Sequence, residues 1–491
     1  MKLSGKIGAV VFVLIMLCVY SSKGQNDTFI KYLDSGFDDI VYSTIEVPNG
    51  DYIISSFSIN KGKSVLLKIN CLGELVLTNE LKDRYIIYNL FPDTNGDFIG
   101  LGSVSDEMFT KNQFLLIRFD SNFNILDEKR YSVPYRIMNI KYCVDHFNNL
   151  ICNIQLYNIN SNDPFDLSIF RLTMNGDSLN YKHFESPNIQ ISNSIMEKLD
   201  HSGYYLPENG RIDPVCSPYL NNMIELDYDF SITFEDSITN DIGLHTTMRK
   251  FNDSQYLISG NKYIPFTPYE NEFIALEKLD ATYQAYAYST IGPLMVDTIT
   301  YPAWFRSLDF IDTNNIFVGG TVNFNLNQIP DRKSYFILTN LDSELNKRWQ
   351  YFYGFDRYYE MSGILATSDG GCLLYGTYCN YTNPATNVKD IILIKVDSSG
   401  LVTGIPHNPD FIISSAILYP NPGREQLNIQ SGPQINGAAF TLYDMQGRPV
   451  LEENINATQL RLNTSNLVSG TYPWQIVFKN NVIESGKWVK P

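Results

Sequence analysis

Two neighbouring stretches decide the fold of this chain: Asp369-Gly370-Gly371-Cys372-Leu373-Leu374-Tyr375-Gly376 and Asp390-Ile391-Ile392-Leu393-Ile394-Lys395-Val396-Asp397-Ser398-Ser399-Gly400. The first begins with an Asp-Gly-Gly turn and continues as an apolar run. The second is a run of β-branched and aliphatic residues that ends in an acid and a Ser-Ser-Gly turn. Because Asp and Gly tolerate the positive φ of tight hairpin turns, the two stretches predict antiparallel strands of one sheet.

The second strand recurs along the chain as an apolar run that ends in a polar residue and a tight turn. Seven such runs end at positions 70, 120, 173, 227, 280, 342 and 397. The nearly even spacing of these ends falls within the range of a repeat architecture. Most of the runs follow an earlier strand that is entered through an Asn, Asp or Gly turn. With a further apolar strand before and after this pair, each unit has the four antiparallel strands of a propeller blade.

Seven units predict an all-β fold with a seven-bladed β-propeller over residues 25–403. A stack of β-sandwiches is the alternative, but its boundaries should fall about every 100 residues. The last unit has a poor fourth strand, whereas residues 28–33 precede the first unit and have no blade of their own. Because a closed ring removes exposed sheet edges, we expect residues 28–33 to be the outer strand of the seventh blade, beside residues 391–397.

The best-formed unit, residues 366–376 with residues 390–400, resembles the repeats of secreted bacterial propeller-like proteins. The other units keep the spacing of that pattern and lose its glycines. The resemblance implies the fold more than any activity, because propellers host binding modules and several unrelated enzymes.

Composition limits the classes to which the protein can belong. The chain has 491 residues, of which 44% are hydrophobic and 18% are charged, with 33 Tyr and 29 Phe. This length exceeds the ~250 to 300 residues at which one hydrophobic core stops growing, so several units are expected. The apolar content excludes a disordered chain. The formal charge of −16 argues against a nucleic-acid partner, because phosphate binding needs clustered Lys and Arg.

The start of the chain, residues 1–24, has the pattern of a signal peptide. Lys2 and Lys6 precede an uncharged apolar run over residues 7–20, and the small residues Ser22 and Gly24 stand before the expected cleavage site. As a helix the run would reach only about 21 Å, short of the ~30 Å hydrocarbon core, so a retained membrane anchor is the weaker alternative. Removal of residues 1–24 would change the formal charge from −16 to −19, because three lysines and no acid are lost.

Export would place the remaining cysteines in a compartment that permits disulfides. Cys143 and Cys152 flank a turn centred on Phe147 and Asn148, and counting outward from that turn places the two cysteines opposite each other, within disulfide reach. They are therefore a candidate disulfide, with two buried thiols in a strand pair as the alternative. Cys372 and Cys379 share one predicted strand and should not pair with each other.

The C-terminal part of the chain breaks the repeat. Residues 404–414 contain Gly404, Pro406 and Pro409 and are typical of a linker. Residues 415–491 lack the blade period, and their short strands separated by Asp-x-x-Gly and Ser-Gly turns predict a small β-sandwich. The landmarks of this unit are, in chain order, Tyr419, Pro420, Asn421, Pro422, Asp444, Gly447, Leu467, Gly470, Tyr472, Gly486, Lys487 and Trp488.

The order and spacing of these landmarks resemble the type A C-terminal sorting domain of type IX secretion cargo in Gram-negative bacteria, over all of residues 415–491. The resemblance implies passage through an outer-membrane translocon and removal of the domain by a cell-surface sortase-like protease. It also implies either release or attachment to surface lipopolysaccharide, and hence a secreted or outer cell-surface location. Pro473 departs from the family pattern, and because proline cannot donate to a sheet we expect its strand to be an edge or locally bulged. An immunoglobulin-like accessory domain that stays attached is the alternative.

The sequence identifies no catalytic residue and predicts no metal site and no cofactor. The five histidines, at positions 146, 183, 201, 245 and 407, show no His-x-x-x-His spacing, and neither a Cys-x-x-Cys pair nor a Gly-x-Ser-x-Gly elbow is present. Because acids are abundant throughout the chain, no two carboxylates can be assigned to glycosidic chemistry from the sequence.

Loop lengths indicate where binding should take place. The connections between second and third strands are long, and because strands alternate in direction these loops should share one face, which we call the loop-rich face. Aromatic side chains there suit glycans or protein partners, whereas packing within the loops is the alternative for any single ring. The candidate binding residues are Phe109, Tyr157, Tyr263, Phe266, Tyr269, Phe324, Tyr378 and Tyr381.

Two hypotheses about function follow. The first is a non-enzymatic adhesin or binding propeller for a glycan or a protein. The second is a secreted polysaccharide-active hydrolase or lyase with acids lining the central channel. Carboxylates near the axis with raised pKa would favour the enzyme, whereas an aromatic patch on the loop-rich face without them would favour binding.

Overall fold

The structure is a computed structural model of the chain. The residues it describes are 28–93, 97–105, 112–158, 165–185, 191–192, 194–209, 221–238, 242, 245–264, 271–292, 299–325, 333–354, 357–382, 388–402, 416–420, 422–431, 437–457, 459–478 and 481–491. The predicted signal peptide (residues 1–24) and linker (residues 404–414) lie outside them. No helix in the described part of the chain is long and apolar enough to cross a membrane.

The described chain begins with strand β1 (Phe29–Leu33), and seven antiparallel sheets form the blades of a propeller. Blade 1 contains β2 (Asp39–Glu46), β3 (Tyr52–Ser58), β4 (Lys63–Ile69) and β5 (Leu75–Glu80). Blade 2 contains β6 (Tyr85–Pro92), β7 (Phe98–Ser105), β8 (Asn112–Phe119) and β9 (Ile125–Ser132). Blade 3 contains β10 (Arg136–Val144), β11 (Asn149–Tyr157), β12 (Phe165–Thr173) and β13 (Ser178–Phe184).

Blade 4 contains β14 (Ile191–Ser192), β15 (Met196–Glu197), β16 (Gly203–Asn209), β17 (Asn221–Asp227) and β18 (Ile232–Ile238). Blade 5 contains β19 (His245–Asn252), β20 (Gln255–Ile264), β21 (Asn271–Asp280) and β22 (Ala285–Ile291). Blade 6 contains β23 (Thr300–Pro302), β24 (Leu308–Phe310), β25 (Ile316–Val322), β26 (Tyr335–Leu341) and β27 (Lys347–Tyr353). Blade 7 contains β28 (Tyr358–Ala366), β29 (Cys372–Cys379) and β30 (Asp390–Val396), with β1 as its fourth strand.

The first strand of each blade lies at the axis and contacts the first strand of the next blade, which gives a closed ring. The fourth strands are the outermost, and most side chains of β5 are accordingly exposed. Hydrophobic clusters join neighbouring blades, for example blade 2 to blade 3 and blade 7 to blade 1. The propeller core therefore consists of layers between blades, as the repeat period predicts.

Buried serines reinforce these layers with hydrogen bonds between blades. Ser55 Oγ donates to the carbonyl of Ile87 at 2.8 Å, and the amide of Ile87 donates to Ser64 Oγ at 3.0 Å. Both serines belong to blade 1 and Ile87 to the first strand of blade 2. A buried hydroxyl that finds a backbone partner avoids a desolvation penalty, so small polar residues are tolerated at these buried positions.

The predicted ring closure is confirmed. Strand β1 pairs antiparallel with β30, with Phe29 opposite Lys395 and Leu33 opposite Ile391. Phe29 is buried and its ring fills the space beside Gly73, whose positive φ of 83° belongs to the turn before β5. The N-terminal strand thus covers the edge that blade 7 would otherwise expose.

The predicted disulfide is wrong, because the hairpin turn is centred on Phe147 alone and not between Phe147 and Asn148. Asp145 and Asn149 close this turn through an N–H···O bond of 2.9 Å. Cys143 therefore stands opposite Ile151, and Cys152 stands opposite Tyr142. A shift of one residue turns the two side chains to opposite faces of the sheet, and both cysteines are free. Cys372 and Cys379, on one strand, are also free, as expected.

The C-terminal unit is a sandwich of two antiparallel sheets. One sheet contains β31 (Ala416–Tyr419), β32 (Gln426–Ser431) and β35 (Gln459–Asn463). The other contains β33 (Ala438–Tyr443), β34 (Pro449–Ile455), β36 (Gly470–Phe478) and β37 (Asn481–Lys490), in the order β34-β33-β36-β37. Side chains from both sheets form one hydrophobic core.

Of the two alternatives expected for the strand of Pro473, an edge or a bulge, β36 is an inner strand with a bulge, but the bulge lies at Ile476 and Val477 and not at Pro473. Pairing of β36 with β33 begins only at Trp474, opposite Leu442. Pro473 precedes that point and pairs with Lys487 on the other side. The missing N–H of proline therefore falls outside the β33 ladder and costs it no hydrogen bond.

We predict that Phe29→Ala destabilises the whole propeller. Loss of a buried Phe side chain typically costs about 3–5 kcal/mol, and here it also loosens the closing strand. The thermal midpoint of the full chain, followed by circular dichroism, should fall by several degrees. Tyr32→Ala, at a 44% exposed position of the same strand, is the control and should cause a clearly smaller decrease. Equal decreases for the two variants would contradict the role assigned to closure.

Candidate functional site

The aromatic residues predicted for the loop-rich face have different environments. Phe109, Phe266, Tyr269 and the side chain of Tyr263 lie outside the described residues. Phe324 and Tyr378 are buried, and Tyr378 packs against Tyr32 and under the guanidinium of Arg357. Tyr157 contacts Phe165, and Tyr381 packs at the edge of the cluster that contains Phe324. For Phe324 and Tyr378, packing within the fold is therefore the better description.

One exposed ring on this face is Trp304, which is not among the candidate residues predicted above. Its indole is 42% exposed and lies 5.2 Å from the ring of Tyr301 and 5.8 Å from that of Phe324, measured between centroids. Trp304 Nε1 donates to Glu360 Oε1 at 2.8 Å, and Glu360 Oε2 lies 2.7 Å from Lys389 Nζ. The result is a fixed aromatic surface with a carboxylate and an ammonium group beside it.

Trp304 belongs to an interruption of the first strand of blade 6. Residues 303–307, which we call the axial segment, separate β23 from β24 and run beside the middle of β28. The amide of Phe305 donates to Ser362 O at 2.8 Å, and Ile364 N donates to Arg306 O at 3.0 Å. Pro302, the last residue of β23, immediately precedes this interruption. This proline is the signal in the sequence from which the displacement of Trp304 was predictable.

The axial segment also contacts blades on the far side of the axis. The carbonyl of Phe305 accepts a hydrogen bond from Lys141 Nζ of blade 3 at 2.9 Å, and its ring lies 5.0 Å from that of Tyr42 in blade 1. On the near side, Ser307 N donates to Thr247 Oγ1 of the neighbouring blade 5 at 3.0 Å. Backbone and aromatic groups therefore cross the centre of the propeller at this level.

Beside the axial segment, two arginines pair with one acid, and Lys141 lies close to Arg306. Arg249 and Arg306 both pair with the buried Asp309, the latter at 2.7 Å. Burial, with a further contribution from Arg306, lowers the pKa of Lys141 to about 8 and that of Arg249 to about 10. The described part of the axis thus combines cations and aromatic rings with Asp309, whose carboxylate is held in two ion pairs.

Two acids with raised pKa occur at the joint between blades 7 and 1. Burial raises the pKa of Asp39 to about 6, and burial together with Asp34 and Asp39 raises that of Asp390 to about 6. Asp39 Oδ2 accepts a hydrogen bond from Ser35 Oγ at 2.5 Å. We call Asp39 and Asp390 the closure carboxyls, because they begin β2 and β30 beside the closing strand.

The sorting landmarks converge in the C-terminal sandwich. Trp488 is fully buried, and its Nε1 donates to Pro420 O at 2.9 Å, while Tyr472 lies 5.9 Å from it between ring centroids. A Cβ at Gly423 would come within 2.6 Å of Pro420 O, so the chain approaches the indole too closely for a side chain. These contacts fix both termini of the domain on one core.

The Asp444 and Gly447 landmarks form a tight turn between β33 and β34. Asp444 Oδ1 accepts the amides of Gln446 and Arg448, each at 2.9 Å, and these hydrogen bonds lower the pKa of the carboxyl. Gly447 takes a φ of 78°, which favours glycine. Lys490 Nζ donates to Thr464 O at 2.6 Å, so the end of β37 is tied to the loop after β35. Asn421 lies outside the described residues.

Residues 417–490 match the family model described as "Secretion system C-terminal sorting domain". The unit is a sorting domain. The chain is thus a cargo protein of the type IX secretion system with a propeller before its sorting domain, and it is exported to the cell surface or the extracellular space. Among curated proteins, none matches the sequence.

Several solved structures are similar to the chain at low identity. The β-propeller domain of the Trilobed protease from Pyrococcus furiosus is 8% identical, with 73% of this chain and 95% of that chain covered and a TM-score of 0.40. The Pan2 WD40 domain of Neurospora crassa is 10% identical, with 76% and 97% covered and a TM-score of 0.43. PorZ of Porphyromonas gingivalis, a surface component of the type IX secretion system, is 8% identical, with 92% and 81% covered and a TM-score of 0.26. At these scores none of the three carries an argument about activity.

We predict that Asp39→Asn flattens the pH dependence of propeller stability. Because the pKa of Asp39 is about 6 in the folded state and 3.8 ordinarily, its ionisation opposes folding. The stability that the protonated Asp39 carboxyl contributes to the folded state is complete below about pH 4 and is lost as the pH rises through about 6. The difference in thermal midpoint between pH 5 and pH 8 should therefore be smaller in Asp39→Asn than in the natural chain. The same change at the exposed Asp83 should leave that difference as it is, and an equal effect of both changes would contradict the assignment.

We predict that Trp488→Ala unfolds the sorting domain, since loss of a buried Trp typically costs about 3–5 kcal/mol. Export from a type IX-competent host, measured as protein on the cell surface and in the medium, should drop sharply. Met445→Ala, at a 69% exposed position of the same domain, is the control. Unchanged export of Trp488→Ala would show that the indole is dispensable for sorting.

Proposed function

We propose that the propeller is a binding module that holds a glycan on its loop-rich face, with Trp304 as the stacking surface. The observation that carries this proposal is the half-exposed indole, held in place by Tyr301, Phe324 and Glu360. An aromatic face accepts the apolar C–H face of a sugar ring, and neighbouring charged groups bond its hydroxyls. Glu360 and Lys389 supply one acceptor and one donor of that kind.

The arrangement of acids also supports binding more than hydrolysis. Glu360, the carboxylate next to Trp304, is paired with Lys389. Asp39 is 2% exposed and is engaged by Ser35. A fixed platform is suited to recognition, because little side-chain freedom is lost when the ligand binds.

A secreted polysaccharide-active hydrolase or lyase is the second candidate. One observation favours it: the closure carboxyls have a pKa of about 6, which suits a general acid. Asp390 also directly follows Lys389, whose ammonium group contacts Glu360 beside Trp304. A catalytic role requires that a substrate reach these enclosed groups.

We further infer that the sorting domain is recognised by the outer-membrane translocon and removed by a sortase-like protease at the cell surface. The propeller is then released or attached to surface lipopolysaccharide. The fold supports removal of a separable unit, since all described residues of the sandwich core lie between Leu418 and Trp488. Cleavage between residue 403 and residue 416 would leave both units intact.

We predict that Trp304→Ala weakens glycan binding by about tenfold or more, because a lost stacking contact of ~1.4 kcal/mol corresponds to that factor. The full chain is screened on a glycan array, and the affinity for the best glycan is then measured for both proteins. Tyr288→Ala, which removes a 72% exposed ring from the outer strand of blade 5, is the matched control and should bind normally.

Two outcomes would overturn the proposal. Equal binding by Trp304→Ala and the natural chain would exclude the indole as the binding surface. Release of shortened saccharides by the natural chain, abolished in Asp39→Asn or Asp390→Asn, would instead establish the enzyme.

A further inference from the structure

Two histidines and one glutamate meet on the face opposite the loops, where the tight turns lie. His146 is in the turn between β10 and β11 of blade 3, and His201 is in the turn between β15 and β16 of blade 4. Glu197, the last residue of β15, lies between them. The three ligand-type atoms of these residues all lie within 4.8 Å of one another.

The carboxylate of Glu197 contacts both imidazoles. Its Oε1 is in short contact with His146 Nδ1, and its Oε2 lies 3.3 Å from His201 Nδ1. The two imidazole rings are 4.3 Å apart between centroids. Three ligands around an ion at about 2.1 Å lie about 3.4 Å from each other, so displacements of about an ångström bring these donors to bonding distance.

Neighbouring groups hold the carboxylate in position. His146 N donates to Glu197 Oε2 at 3.0 Å, and Tyr228 Oη donates to Oε1 at 2.9 Å. Tyr228 Oη also lies 3.0 Å from His146 Nδ1, so the phenol contacts two of the three residues. Tyr228 is therefore a positioning residue of the kind that surrounds metal ligands in proteins, and not itself a ligand.

We propose that His146, Glu197 and His201 form a binding site for one divalent transition-metal ion of the zinc class. Two imidazoles and a carboxylate are donors that zinc accepts, and calcium or magnesium would require a set of oxygens. The side chains of His146 and His201 are 30% and 47% exposed, so an ion reaches the site from solvent and water completes its coordination. Each imidazole gives its Nδ1 lone pair to the ion and carries its proton on Nε2.

The site lies where the ring is least continuous. The first strand of blade 4 consists of two short pieces, β14 and β15, whereas β10 of blade 3 is a single long strand. An ion held by His146 on one side and by Glu197 and His201 on the other would join these two blades directly. The expected consequence is stabilisation of the propeller by the metal, because a ligand that binds only the folded state raises its stability.

The test uses the metal-free full chain and Zn²⁺ alone as the probe. Titration calorimetry should show one Zn²⁺ per chain at this site, and Zn²⁺ should raise the thermal midpoint. His146→Ala and His201→Ala should each weaken binding by about tenfold or more, and Glu197→Gln should do the same. His183→Ala removes a partly buried histidine from the outer strand of blade 3 and is the matched control, with binding unchanged.

Co²⁺ gives an independent measurement, because its visible absorption reports the donor set when the ion replaces zinc. The natural chain and His183→Ala should show the same Co²⁺ band, and the His146→Ala, His201→Ala double variant should lack it. Circular dichroism checks that the variants are folded, which their exposed positions favour. Absence of Zn²⁺ binding by the natural chain, or equal binding by the double variant, would overturn the proposal.

Discussion

Seven sheets arranged around one axis leave a central space, and filling it is the constraint on which the rest of this propeller depends. The axial segment does so by leaving the first strand of blade 6 and pairing with β28 of blade 7. From there it reaches Lys141 and Tyr42 across the axis. Buried charges beneath it are tolerated because Asp309 pairs with two arginines and accepts the amide of Ala366. The centre of the ring is therefore a structural core with polar cross-links.

With the axial segment crossing the centre, the candidate sites lie on the two faces of the ring. On the loop-rich face the axial segment presents Trp304, so one local irregularity contributes to packing and carries the proposed glycan-binding surface. On the opposite face the tight turns bring His146 and His201 together across a blade boundary. The sorting domain adds a third function, export, and its own core around Trp488 makes that function separable from the other two. A rigid scaffold with functions placed on its loops and turns is the arrangement that β-propellers use for many unrelated activities.

The sequence predicts the fold well because the blades depend on a pattern that many residues share. Apolar runs and turns at a nearly even spacing predict the position of every blade, and also that of the closing strand β1. It predicts the sites poorly because they depend on single residues. The turn from Asp145 to Asn149 is centred on Phe147 alone, and this offset separates Cys143 from Cys152. Trp304 was not predicted because it lies in a broken first strand and not in a long loop. The two histidines of the proposed metal site stand one blade period apart in the sequence, and only the packing of blade 4 against blade 3 makes them neighbours.

The pairing of β1 with β30 has a consequence for the order in which the chain folds. Phe29 and Lys395 pair in register although they stand near opposite ends of the propeller sequence. Formation of this contact therefore has the largest entropic cost of loop closure in the propeller. Local hairpins within each blade can form as soon as their residues are available, whereas the ring closes only after the seventh blade exists. A chain whose last blade is incomplete is therefore an open arc, and the ring is sealed only when β1 pairs with β30.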